Sequence, residues 1–406
     1  MKVFVVNCGS SSIKYQLFSM VDETVLAKGI IERIGTNEAR IKHQTNNSTG
    51  DSIIHETLAA APNHNVGLKI ILELLIDSRL GVLRDVSQIQ AVGHRVVHGG
   101  EKINTTCLID DGVIEVIEEN CALSPLHNPA NLRGIEAARQ AMPNVPHVAV
   151  FDTAFLATLP PHAYRYAVPT DWYTRHHVRK YGFHGTSHRY VALRAAELLG
   201  KSPDAVNLIT VHMGNGCSMT AVAGGKAVDH SMGMTPLDGL VMGTRSGAID
   251  PAVPLYMIGR GMDPAKVDEQ LNKASGLLGV SERSNDMRDL LSAVDQGCEK
   301  SRLAVEMFVY RIVKYIGSYY AILPGLDAIV LTGGIGENSL PVRRELCSRL
   351  ARLGVVGDEG RNQSVVAGRA GPITSDAAGL SVWVVPTNEE LMIARDTQDV
   401  AMSLCR

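Results

Sequence analysis

Asn7, Cys8, Gly9, Ser10, Ser11, Ser12, Ile13 and Lys14 follow an apolar strand and form a short polar turn that ends on a lysine. Backbone N–H groups and hydroxyls at a tight turn can surround an anion, and a lysine just beyond it supplies a point charge. Ile13, Tyr15 and Leu17 alternate with Lys14 and Gln16, the period of a strand, so the turn is expected to join two strands as a hairpin. A P-loop lies instead between a strand and a helix, and its pattern G-x-x-x-x-G-K-[ST] does not occur in this chain. A serine-rich hairpin is also an ordinary turn, so these residues alone leave both readings open.

Two arginines sit in glycine-rich loops at strand ends: Arg95 in VGHRVVHGG and Arg245 in GTRSGAIDP. Taken alone, an arginine in the setting of Arg95 is more often a surface or ion-paired residue than a functional one. Together they suit phosphoryl transfer, in which negative charge spreads over the equatorial oxygens of the transition state. Asp152 follows the apolar residues 148–151 and is expected at the carboxyl end of a strand, where α/β sheets gather ligands, or as a helix cap. The string YGFHGTSH carries His184 and His188 four apart, but Gly182 and Gly185 disfavour a helix at His184 and no carboxylate completes a zinc set. His184 is read as a hydrogen-bond donor to a substrate anion, and His188 as structural.

The elements that must position these groups alternate between strand and helix patterns, which implies an α/β architecture. The chain also echoes itself. Residues 208–211 lead into His212, Met213, Gly214, Asn215 and Gly216, and a second short strand follows at 219–222. This repeat of strand, turn and strand suits two similar domains, each offering a phosphate-facing turn to a shared cleft. A third turn, through Gly334, Ile335, Gly336, Glu337 and Asn338, precedes a helix with Ser339 near its cap and Pro341 in its first turn. Residues 301–323 are expected to form a core helix burying Leu303, Met307, Val309, Ile312, Val313 and Ile316, and Asn128 with Pro129 starts a helix that turns Leu132 and Ile135 inward. Near the C-terminus, residues 381–385 read as a strand, Pro386 as a break and 387–398 as a helix that crosses back to the first domain. Thr387 and Glu390 have capping-box spacing, which would leave Glu389 free for a metal. The expected domains are 1–151 with 387–406, and 152–386.

At 406 residues the chain exceeds the roughly 250–300 at which single cores divide. Hydrophobic residues at 45% and charged residues at 20% allow a sizeable core, and a net charge of −3 argues against a nucleic-acid-binding surface. Seven cysteines without a C-x-x-C pair, and no apolar run long enough for a bilayer, lead to the expectation of a soluble cytoplasmic protein without a zinc framework or membrane partner.

The opening VVNCGSSSIK and the later VGHRVVHGG resemble the two signature patterns of the acetate kinase family. FDTAF, YGFHGTSH, HMGNGCS, GTRSGAIDP, SNDMRD, GGIGEN and PTNEE follow in the family's order, so the resemblance covers essentially the whole chain. It implies two actin-like ATPase (ribonuclease H-like) domains flanking a nucleotide cleft, as in the actin, hexokinase and sugar-kinase group. It implies reversible in-line transfer between ATP and acetate, giving ADP and acetyl phosphate, with Mg²⁺, or Mn²⁺ in its place, in a homodimer. By the same resemblance Arg95 and Arg245 hold the transferring phosphoryl group, and His184 stabilises its transition state. Asp152 matches the family's essential acidic residue; acetate is already ionised at neutral pH, so an orienting role suits it better than proton transfer. Lys14 with the Ser10 and Ser12 cradle, the turn from His212 to Gly216, Asp286, Met287, Arg288 and the run Gly334 to Asn338 resemble the nucleotide site. Asn7 and Glu389 resemble the magnesium site. Arg95, Val97, Leu126, Phe183 and Pro236 resemble the acyl site, where the valine suggests a cavity of methyl size. Propionate or butyrate is the alternative substrate. An actin-like ATPase acting through a protein partner is a further alternative, but it leaves Arg95, His184 and Phe183 without a role.

Overall fold

The computed structural model describes residues 1–46, 52–125 and 127–404. It divides into two units, Met1–Ala154 with Asn388–Arg406, and Phe155–Thr387. The expected boundary at residue 151 therefore moves, and Asp152 belongs to the first unit. The reason is local: the Asp152 N–H donates to the Val96 carbonyl at 2.8 Å and so extends the strand ladder beyond Phe151.

In the first unit, β1 (Lys2–Cys8), β2 (Ser12–Ser19), β3 (Thr24–Glu32), β4 (Thr36–Asn46), β5 (Ser52–Ala61), β6 (Ala91–Val96), β7 (Cys107–Leu108) and β8 (His147–Phe151) form one sheet in the order β5-β4-β3-β2-β1-β6-β8-β7. β1, β2 and β3 are an antiparallel meander; β6 then pairs parallel with β1, and β8 parallel with β6. The central strands are covered on both faces, which is why Val3–Val6 is a continuous apolar run with no alternation. Phe4, Val6, Tyr15 and Leu17 pack with Leu68, Ile71 and Leu75 of the helix His64–Ile76 and with Ala137 and Ala138 of the helix Asn128–Ala141. The opposite face takes the C-terminal helix Glu389–Ser403. At Gly93 of β6 any side chain would run into Thr397 and Ile393 of that helix, so glycine sets how closely it can dock.

The second unit repeats the central plan. Here β9 (Leu208–Met213), β10 (Cys217–Ala223), β11 (Lys226–His230), β12 (Ala328–Thr332), β13 (Gly371–Pro372) and β14 (Ser381–Val384) lie in the order β11-β10-β9-β12-β14-β13. Again an antiparallel meander of three strands is followed by two parallel additions, β12 on β9 and β14 on β12. The helix Gly185–Leu198 lays Val191, Ala192, Ala195 and Ala196 on Leu208, Val222 and Val330. The long helix Glu299–Ile322 buries Ala304, Phe308, Ile312 and Ile316, a stripe with a spacing of four, together with Val309. Leu303 and Met307 lie beside that stripe and are 51% and 37% exposed, which corrects their expected place in the core. Among the described residues no helix is long and apolar enough to cross a membrane.

Seven of the described histidines are buried, and four of them are His94 and His147 in the first unit and His188 and His230 in the second. His147 Nε2–H donates to the Met142 carbonyl at 3.0 Å, so its Nδ1 accepts from His94 Nε2, also at 3.0 Å, and both rings are neutral. Burial, with smaller contributions from neighbouring cationic or imidazole groups, holds all four below the usual histidine range. Below a pH of about 6.5 the unfolded chain takes up protons that the folded protein refuses, so stability falls as pH falls, by about 1.4 kcal/mol per pH unit for each withheld proton. Urea denaturation at pH 7.5 and 5.5 is expected to give a clearly lower midpoint at pH 5.5; equal midpoints would mean that the rings protonate inside the fold.

Candidate active site

The first unit gathers acids around one arginine. Val5 pairs with Gly93, Gly93 with Val148, and Arg95 with Val150. Strand alternation then sends Asn7, Arg95 and Asp152 to the same face, at the carboxyl ends of β1, β6 and β8. Arg95 Nη2 donates to Asp152 Oδ2 at 3.0 Å, with side-chain exposures of 17% and 1%. The carboxylate of Glu389, in the first turn of the helix that docks on this face, lies 3.8 Å from Arg95 Nε. Burial works against the Arg95 charge, but Asp152, Glu389 and Glu390 outweigh it and raise its pKa. Glu389 is pushed up to about 7 by burial, which Arg95 opposes and the like charges of Asp152 and Glu390 reinforce. The acids thus balance the guanidinium, and among the described residues no group of three or more His, Cys, Asp or Glu side chains is placed to hold a metal ion by itself.

The helix that carries Glu389 starts differently from expectation. Asn388 is its cap, its Oδ1 accepting from Leu391 N at 3.0 Å. Thr387 is engaged elsewhere: its N–H donates to Glu337 Oε1 at 3.2 Å, and its hydroxyl pairs with that of Ser187 at 2.9 Å. The capping box between Thr387 and Glu390 therefore does not form, and Glu390 instead borders a shallow cavity of about 260 Å³ with Lys14, Lys28 and Lys42. Asn388→Ala is expected to lower stability by about 0.5–2 kcal/mol, and Glu390→Ala, which touches no cap, by less. Thermal melts of the two variants check this, and a larger loss in the Glu390 variant would contradict it.

The first turn is a hairpin, as its period implies. It is closed by Gly9 N donating to Ser12 O at 2.8 Å and braced by His64 Nε2–H on the Gly9 carbonyl at 2.9 Å. Ser10 is exposed at its tip, Ser12 opens β2, and Lys14 pairs across the hairpin with Asn7 and is exposed. Val97 is buried in the bend just beyond β6, its N–H donating to Asn131 Oδ1 at 3.1 Å. Its side-chain direction is therefore not set by strand alternation. Leu126 lies outside the described residues.

The second unit holds the other arginine and the histidines. His184 precedes the helix Gly185–Leu198 with φ of 58°, a left-handed conformation that costs a non-glycine residue about 1–3 kcal/mol and tends to mark functional sites. Its Nδ1 bonds Ser218 Oγ at 2.8 Å and its ring stacks on that of His212, centroids 4.5 Å apart. Arg245 Nη1 donates to the Pro236 carbonyl at 2.6 Å. Burial lowers its pKa, and among the described residues no carboxylate pairs with it. A Cβ on Gly216 would lie 3.0 Å from Arg245 Nη2 and 3.2 Å from His184 Nε2. Two nitrogens thus converge on a space that exists because residue 216 has no side chain. Phe183, 3% exposed, donates its N–H to His230 Nε2 at 3.2 Å.

Beside this group lies a cavity of about 640 Å³ lined by Gly214, Asn215, Asp286, Met287, Arg288, Gly334, Ile335 and Asn338, all expected nucleotide residues. Asp286 caps the helix Met287–Asp295 and pairs with Arg288, which lowers its pKa. Asn285, Leu291, Ser339 and Pro341 also line the cavity; Ser339 and Pro341 start the helix after the third turn that the sequence singles out, whereas Asn285 and Leu291 were not anticipated. Asn285 stands in the SNDMRD string, and its amide donates to Asn215 Oδ1 at 3.0 Å; the apolar Leu291 carries no chemical signature that sequence could reveal. His212, Met213, Gly216, Gly336 and Glu337 lie outside the lining. Residues Gly333–Asn338 form a short helix where a turn was expected, and Glu337 Oε1 closes its start by accepting from Gly333 N at 2.9 Å. A larger cavity of about 980 Å³ in the first unit is walled by Ile89, Met142, Pro146 and Met402 and has no titratable side chain in its lining.

The family model described as "Acetokinase family" matches residues 2–395. The acetate kinase of Thermotoga petrophila is 51% identical over 408 residues, covering 100% of both chains, and that of Methanosarcina mazei is 50% identical over 401 residues, covering 98% of this chain and 97% of the relative. The crystal structure of Porphyromonas gingivalis acetate kinase superposes with a TM-score of 0.92 at 45% identity, covering 98% of this chain and 99% of the other. That of a propionate kinase from Francisella tularensis does so with a TM-score of 0.90 at 40% identity, with the same coverage.

Proposed function

Because this chain belongs to the acetokinase family, we propose that it moves the γ-phosphoryl group of ATP to acetate, reversibly and in line, giving acetyl phosphate and ADP. It is a phosphotransferase. The observation that carries the substrate chemistry is Arg245: a half-buried guanidinium without an acidic partner among the described residues, converging with His184 on the space at Gly216, is a site built for an anion. The neighbouring cavity, at about 640 Å³, is within the range that holds a nucleotide-sized ligand.

The roles follow from the surroundings. Arg245 and His184 carry charge on the equatorial phosphoryl oxygens. Gly214, Asn215, Asp286, Met287, Arg288, Gly334, Ile335 and Asn338 hold the nucleotide, with Asn285 fixing the position of Asn215. In the first unit Arg95 binds the acyl or phosphoryl anion, and Asp152 fixes its guanidinium plane and needs to transfer no proton. Family membership implies a divalent metal. Mg²⁺ fits the oxygen donors of Asn7 and Glu389, where it would neutralise phosphate charge while keeping most of its waters. A homodimer and a cytoplasmic location complete the proposal. Leu303, Met307 and Tyr310 support the first, as an exposed apolar stripe along one helix. The second accords with six described cysteines that are all free thiols.

A hydroxamate assay for acyl phosphate, run with acetate, propionate and butyrate in parallel, tests the activity and its acyl preference together. No acyl phosphate from any of the three would overturn it. Val97→Ala is expected to raise the propionate-to-acetate ratio of kcat/KM several-fold, mainly through KM, because room for one methylene is worth about 0.8 kcal/mol. A flat ratio would remove Val97 from the acyl pocket.

A further inference from the structure

Behind His184 runs a chain of short hydrogen bonds. Thr210 Oγ1 lies 2.7 Å from His188 Nδ1, His188 Nε2 lies 2.8 Å from Ser218 Oγ, and Ser218 Oγ lies 2.8 Å from His184 Nδ1. Its origin is in the pairing of β9 with β10, where Thr210 faces Thr220 and His212 faces Ser218. Strand alternation puts these four polar residues on the face that receives the helix Gly185–Leu198, and the spacing of four stacks His188 behind His184. Thr210, His188 and Ser218 are fully buried, so each proton in the chain must be shared within it.

The chain has two possible proton orders. In one, every donor points away from His184, and the last proton, on Thr210, must reach the Thr220 carbonyl at 3.5 Å, the outer limit of a hydrogen bond. In the other, Thr210 donates over 2.7 Å to His188, His188 to Ser218, and Ser218 to His184 Nδ1. That second order leaves the proton of a neutral His184 on Nε2, the nitrogen beside Arg245 Nη2 at Gly216. An anion in that space requires a donor there as well, so both ends of the chain select the same order. We propose that Ser218, His188 and Thr210 are positioning residues that lock neutral His184 in its Nε2–H tautomer, so that it donates to the phosphoryl group without having to become a cation. Burial holds the His188 ring neutral, as the relay requires.

The inference rests on the phosphotransferase reading of this site and is tested apart from it. Nitrogen-15 imidazole spectra of the wild-type protein at pH 8 report the tautomer directly. A His184 signal with Nε2 protonated and Nδ1 bare is expected; a protonated Nδ1 would overturn the proposal even if the enzyme makes acyl phosphate normally, whereas absent turnover would strike the activity alone. Ser218→Ala is expected to cut kcat at least tenfold with nucleotide and acetate KM values within about twofold, and to mix the two His184 tautomers. Ser218→Thr keeps the hydroxyl and is expected to recover most of the rate. An unchanged kcat in the alanine variant, or no recovery by threonine in a folded protein, would exclude the relay.

Discussion

Arg245→Ala is expected to lower kcat by about 10³–10⁵, on the scale of an arginine that carries transition-state charge in phosphoryl transfer. The melting temperature should hold or rise, because the substitution removes a half-buried cation that no carboxylate among the described residues compensates. Lysine should rescue poorly. Its single ammonium cannot keep the Pro236 carbonyl on one nitrogen while presenting a second toward Gly216, as the guanidinium does. Initial rates by the hydroxamate assay, paired with thermal melts, decide the matter. A rate within tenfold of wild type would remove Arg245 from the chemistry.

Arg95→Ala is expected to fail in two ways at once. Turnover falls steeply, and the fold loses about 3–5 kcal/mol because the buried carboxylate of Asp152 loses its ion pair with Arg95. An arginine that met only substrate could be removed without harm to the fold; the 3.0 Å pair between Arg95 and Asp152 makes that untrue of Arg95. Adding Asp152→Asn to the Arg95 variant should restore much of the lost stability and none of the activity. If Arg95→Ala melts no lower than Arg245→Ala, the buried pair does not support the fold.

The difference between the two arginines marks where sequence stops being informative. Hydroxyls and glycines between apolar strands disclose both hairpins, because strand period and turn chemistry are local. The partner of an arginine is not local: Asp152 meets Arg95 through strand pairing across 57 positions, and nothing near Arg245 in the chain reveals that an acid is missing. Thr387 and Glu390 had the spacing of a capping box, yet Asn388 took the cap, since asparagine caps at least as well as threonine and Thr387 is held by Glu337 and Ser187. Leu303 and Met307 fit a helical period, but a period gives spacing and not phase, and the core took the stripe through Ala304 and Phe308. The Thr210–His188–Ser218 chain was invisible for the same reason: its members come from two strands and a helix, and none is unusual alone.

The first unit is finished by the last stretch of the polypeptide. Its sheet is fully specified once β8 has been made, but the face with Gly93 and Arg95 stays bare until the helix Glu389–Ser403 arrives, with the whole of Phe155–Thr387 in between. During synthesis at about 5–20 residues per second, that face waits roughly ten seconds or more for its cover, with Glu389 still missing from the acid cluster. With Glu389 in its proposed role at the metal, a nascent chain is expected to make no acyl phosphate until the helix Glu389–Ser403 has left the ribosome. A stop codon shortly before residue 389 would yield a protein whose second unit is complete and whose first has an exposed apolar sheet face, the kind of surface that chaperones and proteases recognise.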